Sequence, residues 1–206
     1  MSHFDNWSVR EVDRKRAMSL IIENHYLHRR APCSIAFGLF DETDRLRGVV
    51  MYGVPASPFP RRGIAGNQNE SIVGELTRLW CDDETPKNAE SFLIGNSIRK
   101  QPFEILLSFA EVDQGHRGVV YQATNWIYTG LSAKHVQWEI DGKTGHSRHM
   151  FDQWGGVKGA KEALGDKMKR TERPRKHRYV FINAKGRRRK ELTAAIKYAT
   201  MPYPKA

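Results

Sequence analysis

The segment at residues 103–131 constrains the fold most, because it holds two strands, a turn and a helix in close succession. Residues 104–112 are apolar and β-prone, which predicts a buried strand. A polar, glycine-bracketed turn follows at 114–118, then a short helix over 119–126 and a second strand over 127–131. Ligands of open α/β sheets usually bind where strands end, so this turn is predicted to belong to a functional site.

The pattern along the rest of the chain predicts a mixed α/β fold. A first helix, with Ser8 as its cap and Glu11 three residues on, is expected over 7–24. The other predicted elements are strands at 34–40, 46–54, 75–81, 136–140 and 179–182, helices at 88–100 and 192–201, a long Pro/Gly loop at 55–69, and loop with weak helix at 141–165. This order lacks the regular alternation of a doubly wound parallel sheet, so a mixed sheet (α+β) is predicted.

Length and composition are those of a soluble globular protein. The chain has 206 residues, which suits one domain with a core of ordinary size. It has no apolar run near the roughly 18 residues of a membrane span, and the first residues lack the apolar region of a signal peptide. Cys33 and Cys81 have no metal-type spacing, so free thiols in a reducing cytoplasm are expected.

Positive charge is concentrated near the end of the chain. The formal net charge is +11, and residues 166–190 hold twelve Lys or Arg against two acids. This predicts a body at 1–165 and a basic C-terminal extension at 166–206, docked on the body through the strand at 179–182. Such an extension is typical of contact with a nucleic-acid backbone. A solvated, solubilising tail is the alternative.

The order of elements resembles the GNAT acyltransferase fold. In that family a strand leads into a phosphate-binding loop and a helix, as 75–81 leads into 88–100 here, and a second strand–helix unit follows, as at 104–126. The family loop carries glycines whose amides hold the pyrophosphate of coenzyme A. Here the loop at 82–88 has no glycine and three acids, which would repel a pyrophosphate.

More specifically, the chain is similar to the Mom family of phage DNA-modification proteins. The similar segments are 24–26 (Asn-His-Tyr), 48–53, 75–79 with 88–91, 108–121 and the basic 176–181. Their order and spacing carry the resemblance, since no single segment is specific.

The resemblance implies an enzyme that acts on phage DNA. Members place a carbamoylmethyl (acetamido-type) group on the exocyclic N6 amine of adenine, and the product resists host restriction. It implies a GNAT-like catalytic domain over 1–165, double-stranded DNA as partner, and action in the host cytoplasm, with a phage or prophage origin. It also implies a donor such as acetyl-CoA or another acyl- or glycyl-type compound, with iron as a further candidate. No membrane partner is expected, and a homodimer is kept open.

Four residues are candidates for the chemistry on the adenine amine. Asp113, at a strand end, could orient the amine or act as its base, although a turn-forming Asp is the alternative. Tyr121, on the next helix, could donate a proton, stack on a base or belong to the core. His25 could shuttle protons or, with His28, ligate a metal, although a capping histidine is the alternative. Adjacent helical residues point apart, so only one of His25 and Tyr26 is expected to face the site.

Further candidates follow from charge and position. Arg78, in mid-strand, would be costly if buried unpaired, so it is expected to pair with an acid or hold a carboxylate or phosphate. Ser91 and Ser97, on the following helix, are candidates for the cofactor site and Ser97 also for catalysis. Tyr52 is expected to stack on a base taken out of the duplex.

The candidates for contact with DNA are mostly cations. Phosphate contacts position a protein without selecting sequence. The predicted residues are His116 and Arg117 in the central turn, Arg61 and Arg62 in the Pro/Gly loop, and Arg173, Arg175, Lys176, Arg178, Arg187, Arg188, Arg189 and Lys190 in the extension.

Two alternative functions stay open at this point. One is a conventional N-acetyltransferase acting on a protein or a small-molecule amine, against which the glycine-free loop at 82–88 argues. The other is a basic DNA-binding protein without catalytic activity. Convergence of His25, Arg78 and Asp113 in space would argue against that second alternative.

Overall fold

The computed structural model describes residues 3–145 and 151–205. The strands are β1 (Ser8–Glu11), β2 (Ile35–Phe40), β3 (Leu46–Gly53), β4 (Val73–Cys81), β5 (Ile105–Glu111), β6 (Ile127–Leu131), β7 (His135–Ile140), β8 (Lys143–Gly145), β9 (Met168–Arg173) and β10 (Lys176–Ile182). The helices are α1 (Arg14–Asn24), α2 (Pro58–Ala65), α3 (Ala89–Ser97), α4 (Val119–Ala123), α5 (Val157–Leu164) and α6 (Gly186–Ala195). The predicted mixed α/β fold is confirmed.

Seven strands form the main sheet, in the order β1-β2-β3-β4-β5-β10-β6. β4 and β5 are parallel, and the other neighbours in this sheet are antiparallel. The helix α3 connects β4 to β5, and α4 follows β5, so the two strand–helix units predicted from the sequence are present. A second sheet of three antiparallel strands, β8-β7-β9, is formed within the segment between β6 and β10.

The core is divided between the two faces of the main sheet. Alternate residues of a strand point to opposite faces. Leu76 and Leu106 pack with α3 and α4 around Trp126 and Tyr179. Ile105 and Leu107, on the opposite face of β5, pack with residues of α2 and α6. A smaller cluster around Ile21 attaches α1 to β2 and β3. The sheet is therefore covered on both faces, and only a local opening can admit a ligand.

For the helix predicted over 7–24, the start was wrong and the end was right. Residues 8–11 pair with β2 as an edge strand, and α1 begins only after Asp13, whose carboxylate accepts from the backbone amides of Lys15 and Arg16 at 3.0 Å each. The cap is thus Asp13 and not Ser8, because β2 offered the first residues a strand partner. The predicted end of the helix at Asn24 is confirmed.

Two other helices also differ from the prediction. The Pro/Gly loop at 55–69 contains α2, whose N-cap is Ser57 and whose first position is a proline, where the missing amide hydrogen costs nothing. The last helix is α6, which begins six residues before the predicted start at 192 and ends at Ala195. Part of the predicted loop at 141–165, residues 146–150, lies outside the described residues.

The basic extension is built into the sheet. β10 contains the strand predicted at 179–182 and lies between β5 and β6, where Tyr179, Val180 and Ile182 are fully buried. β9 pairs with β7 in the small sheet, so residues on both sides of position 165 share both sheets. Truncation after Gly165 would therefore remove an interior strand of the main sheet and could not test the cations alone.

Two predictions from composition can be compared directly with the structure. Cys33 and Cys81 are free thiols, as predicted. Among the described residues, no helix combines the length and apolarity required to cross a bilayer.

Candidate active site

A cleft opens where the two parallel strands separate. β4 and β5 pair only over residues 73–75 and 105–107. Beyond that point β4 stays with β3 as far as Cys81, whereas β5 stays with β10 as far as Glu111, so the two halves of the sheet diverge. The gap is a cleft of about 670 Å³, called the main cleft below. A volume of this size admits a small molecule or a single nucleobase.

Acids and cations from neighbouring strands face the main cleft. Glu75 and Arg78 come from β4, Glu111 from β5 and Lys176 from β10. Lys176 donates a hydrogen bond to the Glu111 carboxylate. Burial would raise the pKa of Glu111, but the hydrogen bond and charge of Lys176 hold it below its ordinary value. Glu111 is therefore ionised and paired, and of the two acids on the strands Glu75 is the one left to react.

Glu75 has the properties of a base that works near neutral pH. Burial raises its pKa to about 6, while the positive charges of Arg78 and Lys176 act in the opposite direction. A carboxylate with a raised pKa accepts a proton more readily than an exposed one, which suits general base catalysis. Sequence analysis did not select Glu75, although an acid inside a predicted strand carries the same desolvation cost as Arg78.

Arg78 lines the main cleft, and its guanidinium donates a hydrogen bond to the backbone. Its Nη1 donates to the backbone oxygen of Thr77 at 2.6 Å. Its buried Nε has no hydrogen-bond partner within the part of the chain that the structure describes. Burial and then the positive charge of Arg29 lower its pKa, yet a guanidinium stays protonated in proteins. A bound carbonyl, carboxylate or phosphate oxygen would satisfy this donor, as predicted for this residue.

His25 and Tyr26 close one side of the main cleft as a stacked pair. Their ring centroids are 4.4 Å apart with an interplanar angle of 25°. His25 is the C-cap of α1 and only 8% exposed, and burial followed by the charge of Arg78 lowers its pKa to about 4. The ring is therefore neutral at pH 7. Its Nδ1 accepts from the amide of Leu27 at 3.1 Å, which leaves the proton on Nε2.

Both residues of this pair reach the site, against the expectation that only one would. The chain leaves helical geometry at His25, whose ψ is 136°, so the helical rule for adjacent residues no longer applies. Tyr26 is 45% exposed. Burial first, and then the negative charges of Glu111 and Asp113, raise the pKa of Tyr26. Its phenol is thus protonated at neutral pH, and an open part of the ring can accept a stacked base.

The turn that follows β5 forms the rim of the main cleft. Asp113 lies exposed in a 3₁₀ turn, and the rings of His116 and Tyr26 make a T-shaped contact with their centroids 5.4 Å apart. Arg117 also lines the main cleft. The turn needs Gly118, which has φ +71°, because a Cβ there would lie 2.4 Å from the ring of Tyr179. Asp113 is near enough to raise the pKa of Tyr26, but it is not among the described residues that line the main cleft with His25 and Arg78.

Tyr121, on α4, also lines the main cleft. It is buried, and its Oη lies 2.7 Å from Ser108 Oγ. Burial raises its pKa to about 12, opposed by the Ser108 hydrogen bond. Its ring contacts Trp126 and Tyr179 at centroid distances of 5.1 and 5.2 Å. Tyr121 can therefore donate a hydrogen bond, but its ring has core neighbours and is not free to stack on a base.

Two predicted site residues lie in the core. Tyr52 and Ser97 are each fully buried, and their hydroxyl oxygens are 2.8 Å apart. Ser97 Oγ also donates to the backbone oxygen of Leu93 at 2.7 Å. The stacking role predicted for Tyr52 is corrected, because its ring has no open face. Ser91 is partly exposed on α3 and lines a different cleft.

Many of the cations predicted to contact DNA have partners within the chain. Arg61 and Arg62 both pair with Glu70, at 3.0 and 2.6 Å. The extension's contacts are Arg175 with the Ser132 oxygen, Arg178 with Thr129, Arg187 with Glu191, Arg188 with Glu104 and Arg189 with the Ile182 oxygen. Arg173 and Lys190 are exposed. Part of the positive charge that suggested a DNA-binding arm therefore holds this segment onto the sheet.

The acidic loop between β4 and α3 is tied to one arginine. Arg47, with 10% of its side chain exposed, lies 3.3 Å from Asp82, 2.9 Å from Glu84 and 3.7 Å from Asp41. Asn88 precedes α3 with φ +74° and supplies no side-chain cap. The loop therefore serves an internal cation and lacks the glycines that would bring its amides to a pyrophosphate. Its residues do not fit the phosphate grip of an acyl-CoA donor.

The residues around His25 do not assemble a metal site. Within residues 3–145 and 151–205, no group of three or more His, Cys, Asp or Glu side chains is arranged to hold a metal ion. His28 Nδ1 lies 3.0 Å from the backbone oxygen of Ile22, directed at the helix end. The predicted role of His25 in binding iron thus gains no support from the geometry.

The connectivity and the cleft together define the class of the fold. Parallel strands β4 and β5, joined through α3 and separated to form a cleft, make this a GNAT-type acyltransferase fold, as the order of elements predicted. Two solved acetyltransferases are similar overall. The ribosomal-protein-S5-alanine acetyltransferase of Vibrio fischeri has 12% identity and a TM-score of 0.48, covering 87% of this chain and 94% of that one. A spermidine N-acetyltransferase mutant of Vibrio cholerae has 8% identity and the same TM-score, covering 86% and 94%.

Sequence comparison then gives the family. A family model described as the Mom protein family matches residues 6–205, so this chain belongs to the Mom family. The chain is also 28% identical over 207 residues to the methylcarbamoylase Mom of Escherichia phage Mu, covering 97% of this chain and 80% of that protein. The resemblance noted from short segments is thus confirmed along nearly the whole chain.

Proposed function

We propose that this protein is a transferase that adds a carbamoylmethyl (acetamido-type) group to the N6 amine of adenine in phage DNA. Glu75 carries the proposal. Its carboxylate lies in the main cleft close to Arg78 with a pKa raised to about 6, and the neutral His25 lines the same cleft. Family membership and the relative's name, methylcarbamoylase, support the type of group transferred. Protection of the modified DNA from host restriction would follow.

The base must leave the duplex to reach Glu75. Enzymes that act on a base within a duplex extrude it into a pocket, at a cost of a few kcal/mol for unstacking. The main cleft has the volume for one adenine, and Tyr26, 45% exposed, offers a ring on which it can stack. His116 and Arg117, at the rim, are positioned for the flanking phosphates. Tyr26 thereby takes the stacking role first assigned to Tyr52.

The reaction needs proton removal and stabilisation of charge. The lone pair of N6 is delocalised into the ring, so the amine is a weak nucleophile. As N6 forms its bond to carbon, the bond from that carbon to the leaving group breaks, and Glu75 accepts the proton that N6 loses. Arg78 holds an oxygen of the transferred group through its guanidinium. Asp113, in the exposed turn after β5, is left to contact the nucleotide outside the cleft.

Mass spectrometry of nucleosides tests the proposed function. DNA from cells that express the wild-type chain should contain carbamoylmethyladenine, and the Glu75→Gln variant should lower its amount by about 100-fold or more, the lower range for loss of a general base. Glu172→Gln, the same change at an exposed residue of β9, is the matched control and should leave the amount unchanged. Unmodified adenine in cells with soluble wild-type protein would refute the proposal.

The raised pKa of Glu75 can be tested without the donor. The folded state holds this proton more tightly than the unfolded chain, where the pKa is near 4.5. Stability should therefore rise as pH falls from 7.5 through 6 to 5, by about 1–2 kcal/mol relative to Glu75→Gln. Urea unfolding of both proteins across this range measures the difference. Parallel pH profiles for the two proteins would show that Glu75 has an ordinary pKa.

A further inference from the structure

A second cleft lies on the α3 and α4 side of the sheet. It has a volume of about 680 Å³ and is called the basic cleft below. Its walls are the exposed side of α3, the end of α4 and the start of α6, and its lining includes Phe181, which is 6% exposed. The polar and charged lining residues are Ser91, Arg99, Thr124, Asn125, Lys185 and Arg189.

The charge of the basic cleft has one sign. Arg99, Lys185 and Arg189 line it, and no Asp or Glu is among the described residues of its lining. The main cleft differs, because Glu75, Glu111 and other acids line it together with its cations. Three cations converging on a cavity without an acid create a positive potential, which favours a ligand of high negative charge.

Backbone amides add to this potential. The ten-residue helix α6 begins at Gly186, on the wall of the basic cleft, and its N-cap Lys185 supplies no side-chain hydrogen bond to the first turn. Amides of an uncapped first turn bind phosphate oxygens well. Arg189 already donates through Nη1 to the Ile182 oxygen at 2.7 Å, which fixes its side chain at the rim. Its other guanidinium nitrogens stay available.

Among the described residues the two clefts have no lining residue in common, but residues of α3 and α4 line both of them. On α3, Glu90 lines the main cleft and the next residue, Ser91, lines the basic cleft. On α4, Tyr121 lines the main cleft, and Ala123, two residues further on, lines the basic cleft. Neighbouring residues of the same two helices therefore line the two clefts, and an extended ligand that passes α3 and α4 would have one end in each.

We propose that the basic cleft binds the phosphate groups of a nucleotide-bearing donor whose reactive end lies in the main cleft. The inference rests on the proposed transferase function. The loop between β4 and α3 is acidic and engaged with Arg47, so it cannot hold a pyrophosphate. The basic cleft supplies, along the side of α3, the cations and amides that this loop lacks. The phosphate-binding site is therefore the basic cleft and not the loop at 82–88.

Isothermal titration calorimetry with coenzyme A and with ADP tests this proposal. The wild-type chain should bind both, and the double variant Arg99→Glu/Lys185→Glu should weaken both at least tenfold. The matched control is Lys158→Glu, which alters an exposed lysine of α5 that lines neither cleft. The milder Arg99→Gln should weaken binding about threefold, and its thermal melting curve should match that of wild type, which separates binding from folding.

Duplex DNA is the other source of phosphate, and the same variants distinguish it. Equal coenzyme A affinity in the wild type and in the double variant would overturn the proposal, and so would a wild-type chain that binds neither coenzyme A nor ADP. A loss confined to duplex DNA would also overturn it and assign the basic cleft to the DNA backbone. Loss of coenzyme A binding with DNA affinity retained is the expected result.

The proposed function can fail independently of this inference. If nucleosides stay unmodified while coenzyme A binding depends on Arg99 and Lys185, the donor site stands and the reaction on adenine falls. If adenine is modified while the double variant binds coenzyme A normally, the reaction stands and the donor site falls.

Discussion

The loops that follow the two parallel strands occupy the same position in the fold but use their charges differently. After β4, Asp82 and Glu84 turn back to Arg47, so two of the three acids in residues 82–88 pair within the protein. After β5, the turn at 112–118 leaves its polar side chains exposed around the main cleft. Functional charge is therefore identified by the absence of an internal partner and not by its position in the fold alone.

The largest expected effect is a loss of stability when the loop at 82–88, called the first loop below, loses its cation. Arg47→Met should lower the free energy of unfolding by about 2 kcal/mol, since it leaves Asp41 and Asp82 without their cation. The expected loss is below the 3–5 kcal/mol for a fully buried pair, because Glu84 is 79% exposed and Asp82 31%. Urea unfolding measures it.

The matched control for that change is an exposed ion pair. Arg10→Met removes the partner of Asp44, whose side chain is 73% exposed, and should cost less than 1 kcal/mol. Adenine modification by folded Arg47→Met protein should stay at the wild-type level. A large fall in modification at full folding would show that the first loop also serves the ligand.

A smaller effect, on adenine modification, is expected in the turn at 112–118. Asp113→Asn should lower adenine modification about tenfold, the equivalent of one charge-assisted hydrogen bond worth about 1.4 kcal/mol at an exposed site. DNA affinity in a gel-shift assay and the urea midpoint should not change, because Asp113 lies in an exposed turn. A loss as large as that of Glu75→Gln would instead return the role of base to Asp113.

The smallest effect is expected at Glu84, an exposed acid of the first loop. Glu84→Gln removes one of the three acids around Arg47, and stability should change by about 0.5 kcal/mol or less because the Glu84 carboxylate is largely in water. Modification should be unchanged. A decrease comparable to that of Arg47→Met would mean that Glu84 alone holds the loop.

Local pattern predicted most strands but not all helix boundaries. β6 and the centres of β2 to β5 follow from apolar, β-prone runs that remain buried in the fold. Residues 8–11 have helical spacing too, yet they pair with β2, because the edge of a sheet supplies hydrogen bonds that a short helix end cannot match. The helix α2 was hidden by prolines that sit where a helix tolerates them.

The site was predicted in part, because pairing across the sheet cannot be read from one strand. His25, Tyr26 and Arg78 were selected from their own sequence context, and they converge in the main cleft. Tyr52 was assigned to the wrong environment, since strand alternation alone does not reveal that Ser97 faces its hydroxyl. Glu75 was overlooked because its effect depends on burial next to Arg78, which the strand sequence does not report.

The position of β10 has a consequence for how the chain is made. Residues 176–182 complete the sheet between β5 and β6, so both of those strands keep an unpaired edge until residue 182 has left the ribosome. At about 5–20 residues per second, the roughly 50 residues after β6 take several seconds to synthesise. During that interval the nascent protein exposes apolar edges of the kind that chaperones recognise. Expression yield should therefore depend on chaperone supply more than the stability of the finished fold suggests.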